Sequence, residues 1–421
     1  MNQDELSAVI ARTRDDGSDT LDLSREELVY LPPEIGELID LVELDLSGNR
    51  LTQLPPEIGN LTNMTRLNVR ENQLTELPPE IGNLANLFGL YLQANQLAAL
   101  PSQISHLTNL SRLNASDNHL TQLPPAFGNL TGLTWIYLSN NELTGLPSDI
   151  GNLTRLTDCY LQGNRIDSLP QSIGALTQVT TLQLNKNELS EVPTDIGGMT
   201  SLVKLDLREN KLTALPSEVG RLSSLAWLYL GGNQIKALPR EIGGLTCLTG
   251  LYLEGNRLEE LPPQICDLTN LAWLYIEGNR LTDLPAELNR LTNLIQLNLR
   301  SNNLTKMPPE IFSLTGLIFL DLAGNKLTSI PRDLGNLVAL NELHLSDNLL
   351  TSLPSEIGNL VELVDLFVSN NRLTQVPGSM GNLINIESLY LSDNQITNIP
   401  SELDDLISRD LVVLSGNPLG D

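Results

Sequence analysis

From Leu41 to Asn63 the chain reads LVELDLSGNRLTQLPPEIGNLTN, and the same order of apolar and polar positions returns every 23 residues. The next two copies are MTRLNVRENQLTELPPEIGNLAN and LFGLYLQANQLAALPSQISHLTN. An Asn marks each copy, from Asn49, Asn72 and Asn95 onward to Asn394 and Asn417, with no insertion or deletion; Glu26 holds the place one step earlier. Within a copy, the alternation L-x-L predicts a short strand with one buried face. Leu44 and Leu46 point inward, and Glu43, Asp45 and Ser47 point out. The Asn then turns in, where its amide can pair backbone groups that the turning chain leaves without partners. Leu51 and Leu54 continue the core. Pro55 and Pro56 end any strand, and Glu57 to Leu61 form a short helical turn with Ile58 and Leu61 inward.

One copy cannot bury its apolar edge alone, so neighbouring copies stack into a continuous core. Strands about 4.8 Å apart over 18 turns predict a sheet roughly 85 Å along its arc. The expected fold is an α/β solenoid, a horseshoe with a concave parallel sheet and short helical or 3-10 turns on the convex side. Residues 1–17 are expected to supply a capping helix, with Leu6, Val9 and Ile10 on one face. Residues 18–402 form the array, and 403–421 a degenerate last repeat and cap, where Arg409 stands in a Leu position and Val412 replaces a strand Leu.

Aligning the copies by their Asn turns the surface into columns. Eight residues after the marker, an acid stands in 12 of 17 copies, Glu57, Glu80, Asp195 and Glu356 among them. The first turn of a helix favours an acid there through the helix dipole. The positions four and six before the Asn project into the hollow, and they hold 10 of the 11 Trp and Tyr residues. One cluster is Tyr91, Trp135, Tyr137 and Tyr160. The tighter one is Trp227, Tyr229, Tyr252, Trp273 and Tyr275, beside Glu254 and Glu277; Tyr390, Phe319 and Phe367 share the same columns. Gly250 stands between Trp227 and Trp273, and its missing side chain predicts a slot between indoles about 9–10 Å apart. Such clusters read either as a ladder that stabilises the sheet or as a partner-binding patch, since exposed aromatics with a polar rim mark interaction sites. The glutamates point to a partner offering Arg or Lys through ion pairs and cation–π contacts. Asp321 and His344 are column neighbours, as are Glu342 and Asp365, and together they could collect a cation, but scattered surface charge explains them better, and no metal or cofactor is expected.

The net charge of −26 speaks against nucleic acid and anionic membrane surfaces. The three cysteines, Cys159, Cys247 and Cys266, are odd in number and read as free thiols. The opening MNQDELSAVIARTRDDG has no apolar signal core, and no apolar run reaches the length of a membrane span. These features point to the cytoplasm. No P-loop, G-x-G-x-x-G or G-x-S-x-G occurs, and the three histidines His106, His119 and His344 lie in no catalytic context, so no enzyme activity is expected.

The unit L-x-x-L-x-L-x-x-N-x-L-x-x-L-P-x-x-I-G-x-L resembles the intracellular 23-residue class of leucine-rich repeats. That class includes Ras-binding leucine-rich-repeat scaffolds, plant intracellular Ras-group proteins and the repeat arrays of bacterial Roco proteins. The stretch ARTRDDGSDTLDLSREELVYLPPEIG is similar to the way Roco arrays begin; Roco proteins carry a GTPase domain after the repeats, and the resemblance, confined to the repeats, does not carry that activity over. The resemblance implies a non-enzymatic scaffold that recognises a protein across the concave face, with a small GTPase as one partner. The alternatives are an accessory subunit that regulates a Ras-like GTPase, and carbohydrate binding through the aromatic clusters. Exposed aromatics serve a dimer equally well, so the sequence leaves the oligomeric state open.

Overall fold

The computed structural model describes residues 1–419; Gly420 and Asp421, which belong to the expected C-terminal cap, lie outside the described residues. Two compact units divide the chain, Met1–Lys211 and Leu212–Asp421. Each is a stack of 23-residue turns carrying nine parallel strands, all but one of three residues. Within each unit a strand residue pairs with the one 23 positions on. In the first unit Glu43, Leu44 and Asp45 face Arg66, Leu67 and Asn68; in the second, Trp227, Gly250 and Trp273 follow one another across adjacent strands. The middle strand residue and the Leu two further on enter the core, as with Leu44 and Leu46 at 1% and 0% exposure.

The prolines do as their chemistry dictates. Pro55 is extended and Pro56 opens the 3-10 turn Pro56–Asn60, which buries Ile58 and Gly59 and keeps Glu57 in its first turn. The same element recurs in each repeat, for example Ser217–Arg221 and Ser355–Asn359. At the N-terminus the helix Gln3–Asp15 begins with a capping box between Asn2 and Glu5. It buries Leu6, Ile10 and Thr13 against the first repeat, while Val9 stays at its margin.

The marker asparagines form a ladder inside each unit. Asn72 Oδ1 accepts from the Leu51 N–H at 3.0 Å, and its Nδ2 donates to the carbonyls of Leu46 and Val69 at 2.9 and 3.1 Å. Asn256 does the same with Ile235, Leu230 and Leu253. Each side chain thus satisfies backbone groups of two successive turns that pack too tightly to admit water.

A second column works with it. The residue just before each Asn is left-handed: Gly48, Gly163, Gly232, Gly255, Gly278 and Gly324 take this conformation, as do Asp117, Asn140, Glu71, Ala94 and Glu209. Glycine pays no steric penalty there, and Asn and Asp pay little. The turn lets the chain leave the strand yet still donate to the next one, as Gly255 N–H does to the Glu277 carbonyl at 2.8 Å.

Candidate interaction face

The strand face turned away from the core is built from the residues six, four and two before each Asn. In the second unit the strands Trp227–Tyr229, Gly250–Tyr252 and Trp273–Tyr275 place five aromatic rings side by side, each half-buried. Tyr229 and Tyr252 stack at 4.6 Å between centroids, and Tyr252 and Tyr275 at 5.2 Å, with planes 17° and 10° apart. The Tyr275 hydroxyl donates to Gln296 Oε1.

The expected slot between the indoles is closed. Trp227 and Trp273 lie 5.3 Å apart at 29° rather than at twice the strand spacing. Gly250 is the reason: a Cβ there would meet Trp227 Cε3 at 2.5 Å, so the indole occupies the space a side chain would have taken and leans onto its counterpart. Closing the gap removes apolar ring surface from water and gains stacking.

Beside the rings, the Glu254 carboxylate folds over Gly231, where a side chain on that residue would otherwise sit. Glu277 is the more telling group. Its Oε2 is buried and makes no hydrogen bond. Burial pushes its pKa above the usual carboxylate range, with Glu254 and Asp321 adding to the rise. A carboxylate held this way has lost hydration that its own backbone N–H and the nearby Arg300 charge offset only in part.

The first cluster has a different character. Tyr137 and Tyr160 stack at 4.3 Å, and Trp135 packs edge-on against Tyr137 and Tyr91 at 5.2 and 6.5 Å. Burial against Tyr137 pushes the Tyr160 hydroxyl up to about 12. Two guanidiniums lie over these rings: Arg66 over Tyr91 at 5.2 Å, and Arg112 over Trp135 and Phe88 at 5.3 and 5.5 Å. Sequence reasoning passed over Arg66, Arg112 and Phe88. Their signal was present, since both arginines stand six before the marker, in register beside the aromatic strands.

A third stack closes the second unit. His344 sits between Phe319 and Phe367, at 5.6 and 4.4 Å, and Phe367 stacks on Tyr390 at 5.0 Å. The candidate cation cluster resolves into separate roles. His344 Nε2 pairs with Glu342 Oε1 at 2.6 Å. Asp321 is buried and accepts from the Ala323 N–H at 2.8 Å, and burial raises its pKa. Among the described residues no three His, Cys, Asp or Glu side chains gather in a way that could hold a metal. Asp45, Asn68 and Asp206 repeat the Asp321 turn, each accepting from the N–H two residues on. Apart from Gln183 and Val413, the column four before the Asn therefore holds two kinds of residue, aromatics that stack and Asx side chains that end the strand.

All three cysteines are free. Cys159 lies in the core, where burial pushes its thiol up to about 12, and Cys266 is likewise raised to about 11. No helix of the described residues is long and apolar enough to cross a membrane.

Comparison with known families and structures agrees with this architecture. The family model described as a leucine-rich repeat region matches residues 126–209, 216–317 and 309–415. A second leucine-rich-repeat model matches 39–97 and 62–120. The chain is similar to a leucine-rich-repeat protein of Leptospira interrogans, at 36% identity over 97% of this chain and 93% of that one, with a TM-score of 0.75. It also resembles a TDR receptor, at 29% identity over 94% of this chain and 72% of that one, TM-score 0.78. The plant peptide hormone receptor RGFR1, solved in complex with RGF2, matches at 28% identity over 92% and 72%, TM-score 0.71. No curated protein matches the chain.

Proposed function

The chain belongs to the leucine-rich-repeat family, and we propose that it is a non-enzymatic scaffold that holds a protein partner on the strand face around Trp227 and Trp273. Arrays of this family generally serve as interaction domains, and the plant receptor it resembles was solved with RGF2 in complex.

The observation that carries this reading is the pairing of five half-buried aromatic rings with a carboxylate whose buried oxygen lacks a hydrogen-bond partner. The rings are rigid apolar anchors of the kind that dominate binding energy. An Arg or Lys from a partner restores to Glu277 the interactions it has lost, and the same cation meets the edge of an aromatic stack. The rings turn their faces to one another, which favours a protein contact over the stacking of sugar rings. A cytoplasmic location fits the free thiols at Cys159, Cys247 and Cys266.

Replacing both Trp227 and Trp273 by Ala is expected to weaken the partner by about 2 kcal/mol or more. Unchanged affinity in a folded double variant would place the site elsewhere. A change in nucleotide exchange or hydrolysis on adding the chain to a Ras-like GTPase would identify that partner class; unaltered rates set it aside.

A further inference from the structure

The position ten before each Asn is Thr, Ser or Ala in every repeat from Thr62 to Thr315, and then it changes. The last four copies carry Val338, Val361, Ile384 and Ile407. Val338, Val361 and Ile384 lie on the turn between the 3-10 segment and the strand, Ile407 lies in the short α-helix Asp404–Ser408, and they are 50%, 39%, 72% and 39% exposed. The turns touch: Asn385 Nδ2 donates to the Val361 carbonyl at 3.0 Å, so adjacent members of the column are neighbours in space. The second unit therefore carries a line of branched aliphatic side chains facing water, three on successive turns and the fourth on the last helix, in a column where Thr serves in ten other repeats. Contiguous exposed apolar surface of this kind marks a contact site.

The charge around the stripe says what covers it. Between Asp333 and Ser408 there are 11 acids and one base, Arg372. Glu362, Glu387 and Asp405 flank the stripe and are exposed. Of the arginines at the margins of this stretch, Arg332 and Arg409, the latter is engaged with Asp405 at 3.4 Å. The spacing adds a geometric constraint. Turns stacked at about 4.8 Å present one aliphatic group per step, close to the pitch of about 5.4 Å at which one face of an α-helix repeats.

We infer that Val338, Val361, Ile384 and Ile407 form a docking stripe for an amphipathic, basic helix of a partner protein, its apolar face on the stripe and its Lys or Arg flanks against the acidic rim. This surface shares no residue with the aromatic face, so it stands or falls separately from the function proposed above.

The test uses the full chain and a fluorescent synthetic helix of about five turns, with Leu along one face and Lys elsewhere. One control peptide has the same composition with the Leu residues scattered around the helix. Another carries Glu in place of Lys. The protein variant replaces Val338, Val361, Ile384 and Ile407 by Thr together; it should fold normally, because Thr fills this column elsewhere. Anisotropy titration is expected to give saturable binding of the Lys amphipathic peptide to the wild type. Binding should weaken about tenfold or more for the Thr variant and for both control peptides. Equal binding by wild type and Thr variant, or no binding by the wild type, overturns the inference. So does a wild type that dimerises through the stripe, with the Thr variant monomeric, because the occupant is then a second copy of the chain.

Discussion

At the scale of single residues, the chain depends on buried polar groups that have little freedom to change. Asn256 is 6% exposed and serves three backbone groups at once. Replacing it by Ala leaves the Ile235 N–H without a partner in a dry interior and takes one of two amide donors from each of the Leu230 and Leu253 carbonyls, which keep Asn233 and Asn279. The expected loss is about 3 kcal/mol in urea unfolding, whereas Asn270→Ala should cost under about 1 kcal/mol. Asn270 is exposed and makes a single bond, to the Thr246 carbonyl. Equal costs at the two sites would mean that the ladder is not what ties the turns together. Glu277 shows the opposite balance. Its raised pKa means that the folded chain binds this proton more tightly than the unfolded chain. Stability therefore falls as pH rises from the ordinary carboxylate range through the raised value. Glu277→Gln should melt above wild type at neutral pH, and the gap should close as the pH drops below the ordinary value of 4.5. A gap that is constant with pH would show that the carboxylate carries no such penalty.

At the scale of the elements, the strands, the proline-led turns and the asparagine ladder are all legible in the 23-residue period alone. Each follows from local chemistry that repeats without interruption. The packing of the exposed rings is not legible in the same way. Counting strands places Trp227 and Trp273 two spacings apart, yet side-chain position depends on what the neighbour leaves vacant, and Gly250 lets the indoles close on one another. Arg66 and Arg112 escape notice for a related reason: a guanidinium over a ring is a relation between strands and leaves no mark within one repeat. The left-handed column before each Asn does carry a signal in its glycines, asparagines and aspartates, blurred by Glu71, Ala94, Lys186 and Glu209 at equivalent places. The closed indole pair can be tested through its cause. Gly250→Ala puts a methyl group where Trp227 now lies, so the ring must swing toward water. Tryptophan emission should shift to the red, and partner affinity should fall about tenfold. Unchanged emission would mean that the indoles do not lean over Gly250.

At the scale of the whole molecule, 51 acids against 25 bases make the chain repel anionic polymers and attract basic partners. The two candidate surfaces use that charge in different ways. On the aromatic face of the second unit, the glutamates sit beside rings and are partly removed from water. Along the aliphatic stripe, the acids form an exposed rim. The most direct measurement of the central claim is affinity capture from native lysate with three folded baits in parallel, read by mass spectrometry. The baits are the wild type, the Trp227→Ala/Trp273→Ala pair and the four-residue Thr variant of the stripe. The account predicts a protein held by the wild type and by the stripe variant and lost from the tryptophan pair. A set of captured proteins identical for all three baits would contradict it, because the aromatic face would then be a ladder that supports the sheet and binds nothing.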